Sequence, residues 1–275
     1  GVKVDVLLLT DQNSVFDTTL KNKGIKVDVV HLKQLRNPIN IYYLRKYIIK
    51  GEYDIVHAHL FPTLYWVSIA SRFTFKNKPK FVYTEHSTYN RRRHNKILQP
   101  LERFIYSGYD KIISISHSTQ NNLIDWLKPK DNKLSKFIII NNGININKFK
   151  NARPYEKKEI NSCFNTDTKL LCMVGRFSEA KDQNTIIKAM TTLPENIHLL
   201  LIGEGSLKSN SKKLAIELGV IDRVHFLGFR NDVERLLKTS DIIIQSSNWE
   251  GFGLAAAEGM AAGKPVIASD IDGLR

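Results

Sequence analysis

The feature of this sequence that most limits its fold is a rhythm. Short apolar runs recur along the chain, and most are followed by a stretch long enough for a helix. In the first half the runs are 2–9, 25–31, 54–57, 80–84, 111–115 and 137–140. In the second they are 170–174, 198–202, 224–227, 242–245 and 265–268. Continuous apolar runs without polar alternation suit strands buried on both faces, and strands alternating with helices predict a parallel α/β architecture. Helix-length segments fall at 41–49 and 99–106, then at 183–191, 207–218, 233–238 and 253–261.

A chain of 275 residues is long for one such unit and comfortable for two. The stretch 147–167 is polar, rich in Lys and Asn, and holds Pro154 without a long apolar run. It reads as a linker and the entry to a second domain, giving α/β domains over 1–150 and 151–275. No short-period repeat or low-complexity tract is present. The chain opens in a strand with no Gly-rich turn before it and closes at Gly273-Leu274-Arg275 just after a strand. We therefore expect a partial sequence, lacking an N-terminal strand and C-terminal helices.

Charge divides along the same boundary. Residues 1–150 carry 25 Lys and Arg against 11 Asp and Glu, so the whole net charge of +14 lies there; residues 151–275 carry 16 of each. A one-sided basic domain suits an anionic partner, such as an acidic membrane surface or a phosphate-bearing substrate, or is a plain solubilising surface. Arg91-Arg92-Arg93-His94 is a local peak of that charge. No apolar run reaches the length of a membrane span. No signal peptide is visible, and the first residue is Gly. Cys163 and Cys172 lack metal-ligand spacing and read as reduced structural thiols, which fits a cytoplasmic protein.

Three features of the second half can hold a diphosphate or a sugar. Gly175 ends a strand, and Arg176 and Lys181 leave the following turn, where a planar fork and a mobile point charge can converge on one anion. Gly203 and Gly205 flank Glu204 at the next strand end, where the backbone can turn sharply; a plain turn accounts for them equally well. Glu250-Gly251-Phe252-Gly253-Leu254 leads into a helix that carries Glu258. Amides at a helix start favour an anion, and carboxylates accept hydrogen bonds from vicinal hydroxyls.

These strings, with Val224-His225-Phe226-Leu227-Gly228 and Gly263-Lys264-Pro265-Val266-Ile267-Ala268, together resemble the retaining glycosyltransferases of family 4. That family has the GT-B fold, two Rossmann-like domains whose parallel sheets face each other across a cleft. The first half carries similar strings: Asp54-Ile55-Val56-His57-Ala58-His59, Thr84-Glu85-His86-Ser87, Ser114-Ile115-Ser116 and Asn142-Gly143-Ile144. A departure is Asn in the string Asn142-Gly143-Ile144-Asn145, where Asp is common. The resemblance implies that Arg176 and Lys181 neutralise the leaving diphosphate, that Glu250 bonds the donor sugar and that Glu258 bonds the ribose. It implies that the amides from Gly251 through Phe252 and Gly253 to Leu254 hold sugar and phosphate oxygens. It also implies that His86 contacts the transferred sugar, while His57 and His59 are more often structural.

The resemblance implies a UDP- or GDP-sugar donor, no cofactor and no metal, with cations and a helix terminus stabilising the leaving group. It implies transfer to a glycan or lipid-phosphate-linked acceptor in polysaccharide or envelope assembly, at the inner face of the cytoplasmic membrane. The rival readings are a nucleotide-sugar-binding protein without transfer and an epimerase or phosphorylase on the same scaffold. Nucleic-acid binding has only charge in its favour.

Overall fold

The computed structural model describes residues 1–10, 15–30, 34–73, 75 and 77–275; the side chains of 15–17 are also outside the described set. The chain divides into two units. The first comprises Gly1–His86 and Asn90–Ile140, and the second Ser87–Tyr89 and Asn141–Arg275.

In the first unit, strands β1 (Asp5–Leu8) and β2 (Lys26–Val29) flank helix α1 (Val15–Asn22) and pair in parallel. Helix α2 (Asn40–Gly51) leads to β3 (Ile55–His59), α3 (Thr63–Ala70), β4 (Lys80–Glu85), α4 (Gln99–Ser107), β5 (Lys111–Ser114), α5 (His117–Leu127) and β6 (Phe137–Ile139). Strands β3 to β6 lie side by side in chain order, all parallel, in a sheet separate from β1–β2. Each apolar run expected in this half overlaps a strand, although His31 lies outside the described residues. One apolar core joins both sheets to the helices, from Leu9 and Val30 through Leu64 and Phe81 to Leu123.

The second unit begins with α6 (Ile146–Lys150) and α7 (Lys157–Ile160). It continues with β7 (Lys169–Val174), α8 (Gln183–Ala189), β8 (Ile197–Ile202), α9 (Lys208–Glu217), β9 (Val224–Gly228), α10 (Val233–Thr239), β10 (Ile242–Gln245), α11 (Leu254–Ala261) and β11 (Val266–Ala268). The sheet order is β11-β10-β7-β8-β9, parallel throughout. This is a doubly wound sheet, and its strand order reverses between β7 and β10. Side-chain alternation splits the core in two. Leu171, Met173, Leu199 and Leu201 pack with Ile187 and Ala215 on one face. Leu170, Cys172, Leu200 and Ile202 pack with Leu236 and Leu237 on the other. Continuous apolar strands are what two covered faces require.

The expected linker is a folded part of the second unit. Phe149 and Phe164 are buried in its core. Asn145 caps α6 by accepting from the Lys148 amide at 3.1 Å, a role in which Asn serves as well as Asp. Glu156 and Glu159 form a reciprocal capping box on α7. Isolated aromatics in a polar stretch show no periodicity, so their burial does not register in the pattern. Cys172 is buried and its thiol is pushed up to about 12, while Cys163 is exposed; neither forms a disulfide. Among the described residues no helix is long and apolar enough to cross a membrane.

Candidate active site

In a doubly wound sheet, ligands settle beyond the carboxyl ends of the strands where the order reverses. Here that point lies beyond Val174 of β7 and Gln245 of β10. The loops leaving these strands carry Lys181 and Glu250, and the structure brings the two together. Lys181 Nζ donates to Glu250 Oε1. The same oxygen accepts from Gln245 Nε2 at 2.6 Å and Ser247 Oγ at 2.8 Å. The other carboxylate oxygen, Oε2, takes no hydrogen bond from a described residue. Glu250 is buried, so three donors on one oxygen hold its charge and leave Oε2 available.

The β7 loop is held from below. Buried Gln183 donates from Nε2 to the Arg176 carbonyl at 3.1 Å, and Ser246 Oγ donates to the Asp182 carbonyl at 2.8 Å. The Lys181 stem lies over Gly175, where a Cβ would meet it at 3.3 Å. Arg176 is exposed, and its guanidinium makes no ion pair or hydrogen bond with a described residue. It therefore retains its full donor fork.

Gly203 and Gly205 bring the β8 loop against the β7 loop. Gly203 has φ +138°, and a Cβ there would stand 2.2 Å from the Gly175 carbonyl oxygen; one on Gly205 would stand 2.2 Å from that of Phe177. Only glycine permits this approach. Glu204 between them is exposed and pairs with Lys208 at 2.7 Å.

At the start of α11, Gly253 has φ +75° and is the N-cap. The amides of Phe252, Gly253 and Leu254 donate to no described residue, as expected of a helix N-terminus. Gly273, at φ +88°, presses on this loop: a Cβ there would lie 2.4 Å from the Glu250 carbonyl oxygen. That carbonyl also accepts from Thr88 Oγ1 at 2.8 Å, within the segment Ser87–Tyr89 that belongs to this unit. Glu258 is half-buried, with no hydrogen bond or ion pair from its carboxylate to a described residue. Burial raises its pKa, Lys148 opposes the rise, and Glu234 adds to it. A desolvated, unpartnered carboxylate on a helix is well prepared to accept from hydroxyl groups.

Gln245, Ser247, Gln183 and Gly273 were not anticipated from the sequence. The one signal for Gln245 is an amide ending an otherwise all-isoleucine strand. An Asp-x-Asp string, Asp270-Ile271-Asp272, also lies in this unit. Both carboxylates are exposed and lie beside Arg275, at 2.6 and 3.9 Å.

In the first unit, His86 follows β4 directly. Its Nε2 lies 3.0 Å from His59 Nδ1, and His57 Nε2 lies 2.7 Å from Thr84 Oγ1. His57 and His59 share a face of β3 because they are two apart, and their rings lie 4.2 Å apart. Burial lowers all three imidazoles, His59 to about 4, so they are neutral at pH 7. His86 is thus joined by His59 directly and by His57 through the ring of His59.

The arginine run corrects an expectation. Arg93 donates to buried Glu85 at 2.6 Å, and Arg92 to buried Glu102 at 3.0 Å. Arg92 also lies over the Phe61 ring at 4.5 Å. Two of the three guanidiniums are committed to internal carboxylates and aromatic rings, so the run is not an open landing site for an acidic surface.

Comparison with known proteins decides the family. The model for Glycosyltransferase Family 4 matches residues 1–148, and that for glycosyl transferases group 1 matches 155–275. The chain belongs to glycosyltransferase family 4. It is 28% identical over 253 residues to the Escherichia coli UDP-Gal:alpha-D-GlcNAc-diphosphoundecaprenol alpha-1,3-galactosyltransferase, covering 88% of this chain and 63% of that protein. It is 26% identical over 249 residues to the D-inositol 3-phosphate glycosyltransferase of Xylanimonas cellulosilytica, covering 82% of this chain and 58% of that protein. The chain thus spans about three fifths of these relatives. Among solved structures, HepE of Anabaena, crystallised with UDP and glucose, superposes with a TM-score of 0.80 at 23% identity, over 98% of this chain and 73% of that one. The parallel α/β architecture expected for this family-4 chain is the observed one in each unit.

Proposed function

We propose that this chain carries the donor site of a retaining glycosyltransferase. The protein would move a sugar from a UDP- or GDP-sugar to a glycan or lipid-linked acceptor in polysaccharide or cell-envelope assembly. The observation that carries the reading is the junction of Lys181, Gln245, Ser247 and Glu250 at the reversal point of a doubly wound sheet. Support for the donor and acceptor classes comes from the Escherichia coli relative, whose name specifies a UDP-sugar and a lipid-diphosphate acceptor.

In this reading each group has one task. Arg176 and the amides of Phe252, Gly253 and Leu254 take the diphosphate, where a helix N-terminus and a guanidinium both favour an anion. Glu258 accepts from the ribose hydroxyls. Glu250 Oε2 accepts from the donor sugar while Oε1 stays tied to Lys181. When the bond between the anomeric carbon and the phosphate oxygen breaks, the electron pair leaves with the nucleoside diphosphate. The acceptor oxygen bonds to the anomeric carbon on the same face, and its proton passes to the departing phosphate. Charge on the leaving group is met by fixed donors, which cost no reorganisation during reaction. No divalent ion or cofactor is required by this scheme.

The test is calorimetric binding and hydrolysis of UDP-, GDP- and ADP-sugars in EDTA, beside Glu258→Ala. We expect saturable binding of one donor, slow hydrolysis, and a loss of about tenfold or more in affinity in the variant, the scale of a charged hydrogen bond. Binding without turnover, with or without acceptors, would favour a binding protein. No binding of any donor would remove the site assignment.

A further inference from the structure

The carboxyl ends of β3 and β4 carry the histidine cluster. A second feature of the first unit lies at the other end of the sheet. Between the last turn of α4, the end of α5 and the amino ends of β5 and β6 is a cavity of about 230 Å³. Its walls are apolar: Tyr106, Ile112, Leu127 and Phe137. Its rim is basic: Arg103, Lys128, Lys130, Lys133 and Lys136. No carboxylate of a described residue lines it.

This concentration of charge is not neutralised locally. Lys128, Lys130 and Lys133 make no ion pair or side-chain hydrogen bond with a described residue. Arg103 Nε donates to the Leu127 carbonyl at 2.6 Å and Lys136 Nζ to the Ser107 carbonyl at 3.4 Å, so both point to neutral oxygens. Lys136 is depressed first by burial and then by Lys133 and Arg72, with Asp110 opposing. The carboxylate of Asp110 is engaged with the Phe81 amide at 2.9 Å and with Lys80 at 3.5 Å. Asp131 is exposed on the turn that carries Lys130 and Lys133.

The backbone holds this shape. Lys128 caps α5 in the left-handed conformation, and Pro129 sets the turn that returns Lys130 towards the cavity. Five cations around an apolar floor repel one another unless an anion sits among them. A bare inorganic ion would leave the aromatic and aliphatic wall unused. The volume falls below the range of about 300–1,000 Å³ that encloses a drug-sized ligand, so it suits part of a molecule.

We propose that this cavity binds a phosphate ester through its charged group and the first few carbons of an attached apolar chain. The site belongs to the first unit and the donor residues to the second, and the proposal goes beyond the transferase reading. The ester has two sources, a lipid headgroup and a soluble alkyl phosphate.

The test is direct binding of inorganic phosphate, butyl phosphate and hexyl phosphate, with the double variant Lys130→Glu/Lys133→Glu beside the parent protein. Both substituted residues are exposed, and equal unfolding temperatures without ligand would establish that the variant folds. We expect hexyl phosphate to bind more tightly than butyl phosphate, by up to about fourfold for each methylene buried. We expect the variant to lose about tenfold or more, the scale of a lost charged hydrogen bond. Equal affinities for phosphate and hexyl phosphate, affinities unchanged in the variant, or no saturable binding of hexyl phosphate would each overturn the proposal. A Leu127→Ala variant that weakens hexyl phosphate but not inorganic phosphate supports it independently. Flotation with phosphatidylglycerol vesicles, lost in the double variant and absent with phosphatidylcholine, assigns the ester to a lipid. Hexyl phosphate binding without flotation assigns it to a soluble ester.

Discussion

Lys181 and Glu250 stand 69 residues apart in the chain and share a charged hydrogen bond at the end of one sheet. Their side chains are 22% and 10% exposed, so the pair is shielded without being sealed. The bond ties the loop after β7 to the loop after β10, the two connections on either side of the point where the strand order reverses.

Breaking that pair should cost both stability and donor affinity. Lys181→Met leaves the buried Glu250 carboxylate oxygen with Gln245 and Ser247 as its remaining donors. We expect a loss of about 1–3 kcal/mol, below the cost for a fully buried pair because Lys181 is partly solvated. Chemical denaturation measures it, and donor titration should show weaker binding in the same variant.

Gly203→Ala and Gly263→Ala separate close approach from backbone strain. Both positions have positive φ. At Gly203 a Cβ meets the Gly175 carbonyl at 2.2 Å, whereas at Gly263 nothing lies within 4 Å. Gly263→Ala should cost about 1–2 kcal/mol, the price of the left-handed region alone. Gly203→Ala should cost more and should also displace the β7 loop and weaken donor binding. Equal losses in denaturation would mean that the contact has no weight.

Glu258 should trade stability for binding. Its folded pKa is raised, first by burial, so ionisation is harder in the folded state than in the unfolded one. A raised carboxyl pKa removes stability as pH climbs above the unfolded value. Glu258→Gln should therefore unfold at a slightly higher temperature at pH 7 while binding donor less well. A variant that loses both would place the carboxylate in a structural role.

Acid should weaken the second unit through His225. Its Nε2 lies 3.0 Å from His198 Nδ1, and Phe164 meets both rings edge-on. Burial, and then His198, push His225 down to about 4, and burial lowers His198 as well. Between about 6.5 and 4 the unfolded chain binds protons that the folded chain refuses. Stability should be constant above that window and fall through it. Urea midpoints at pH 7 and pH 5 test this, and His225→Gln should flatten the slope. His57, His59 and His86 impose the same sign on the first unit, so part of the slope should survive in that variant.

Much of the fold was legible because it is written in local hydrophobicity. Each expected apolar run overlaps a strand, and 242–245 matches β10 residue for residue. A parallel sheet covered on both faces leaves no other reading for such runs. Phe149 and Phe164 were missed because two isolated aromatics in a polar stretch carry no period. The site was legible in part. Glu250, Lys181 and the glycines have chemical types that announce ligand work. Gln245, Ser247 and Gln183 are ordinary polar residues whose meaning depends on what stands opposite them.

The arginines show the limit most clearly. Arg91-Arg92-Arg93 reads as one basic patch because charge is all that a sequence displays. In the folded unit Arg92 and Arg93 turn to Glu102 and Glu85, and burial makes those pairings obligatory. The lysines that rim the second cavity lie close together between 128 and 136, but its apolar walls come from α4, α5, β5 and β6, so the sequence shows the charge and not the cavity. The sequence alone determined the element order, the parallel architecture and the chemical types at the strand ends, since each follows from neighbours along the chain. Only the tertiary structure decided which charges are neutralised, which remain open and which oxygen of Glu250 is free. Those depend on groups far apart in sequence meeting at a few ångströms in a site shielded from water.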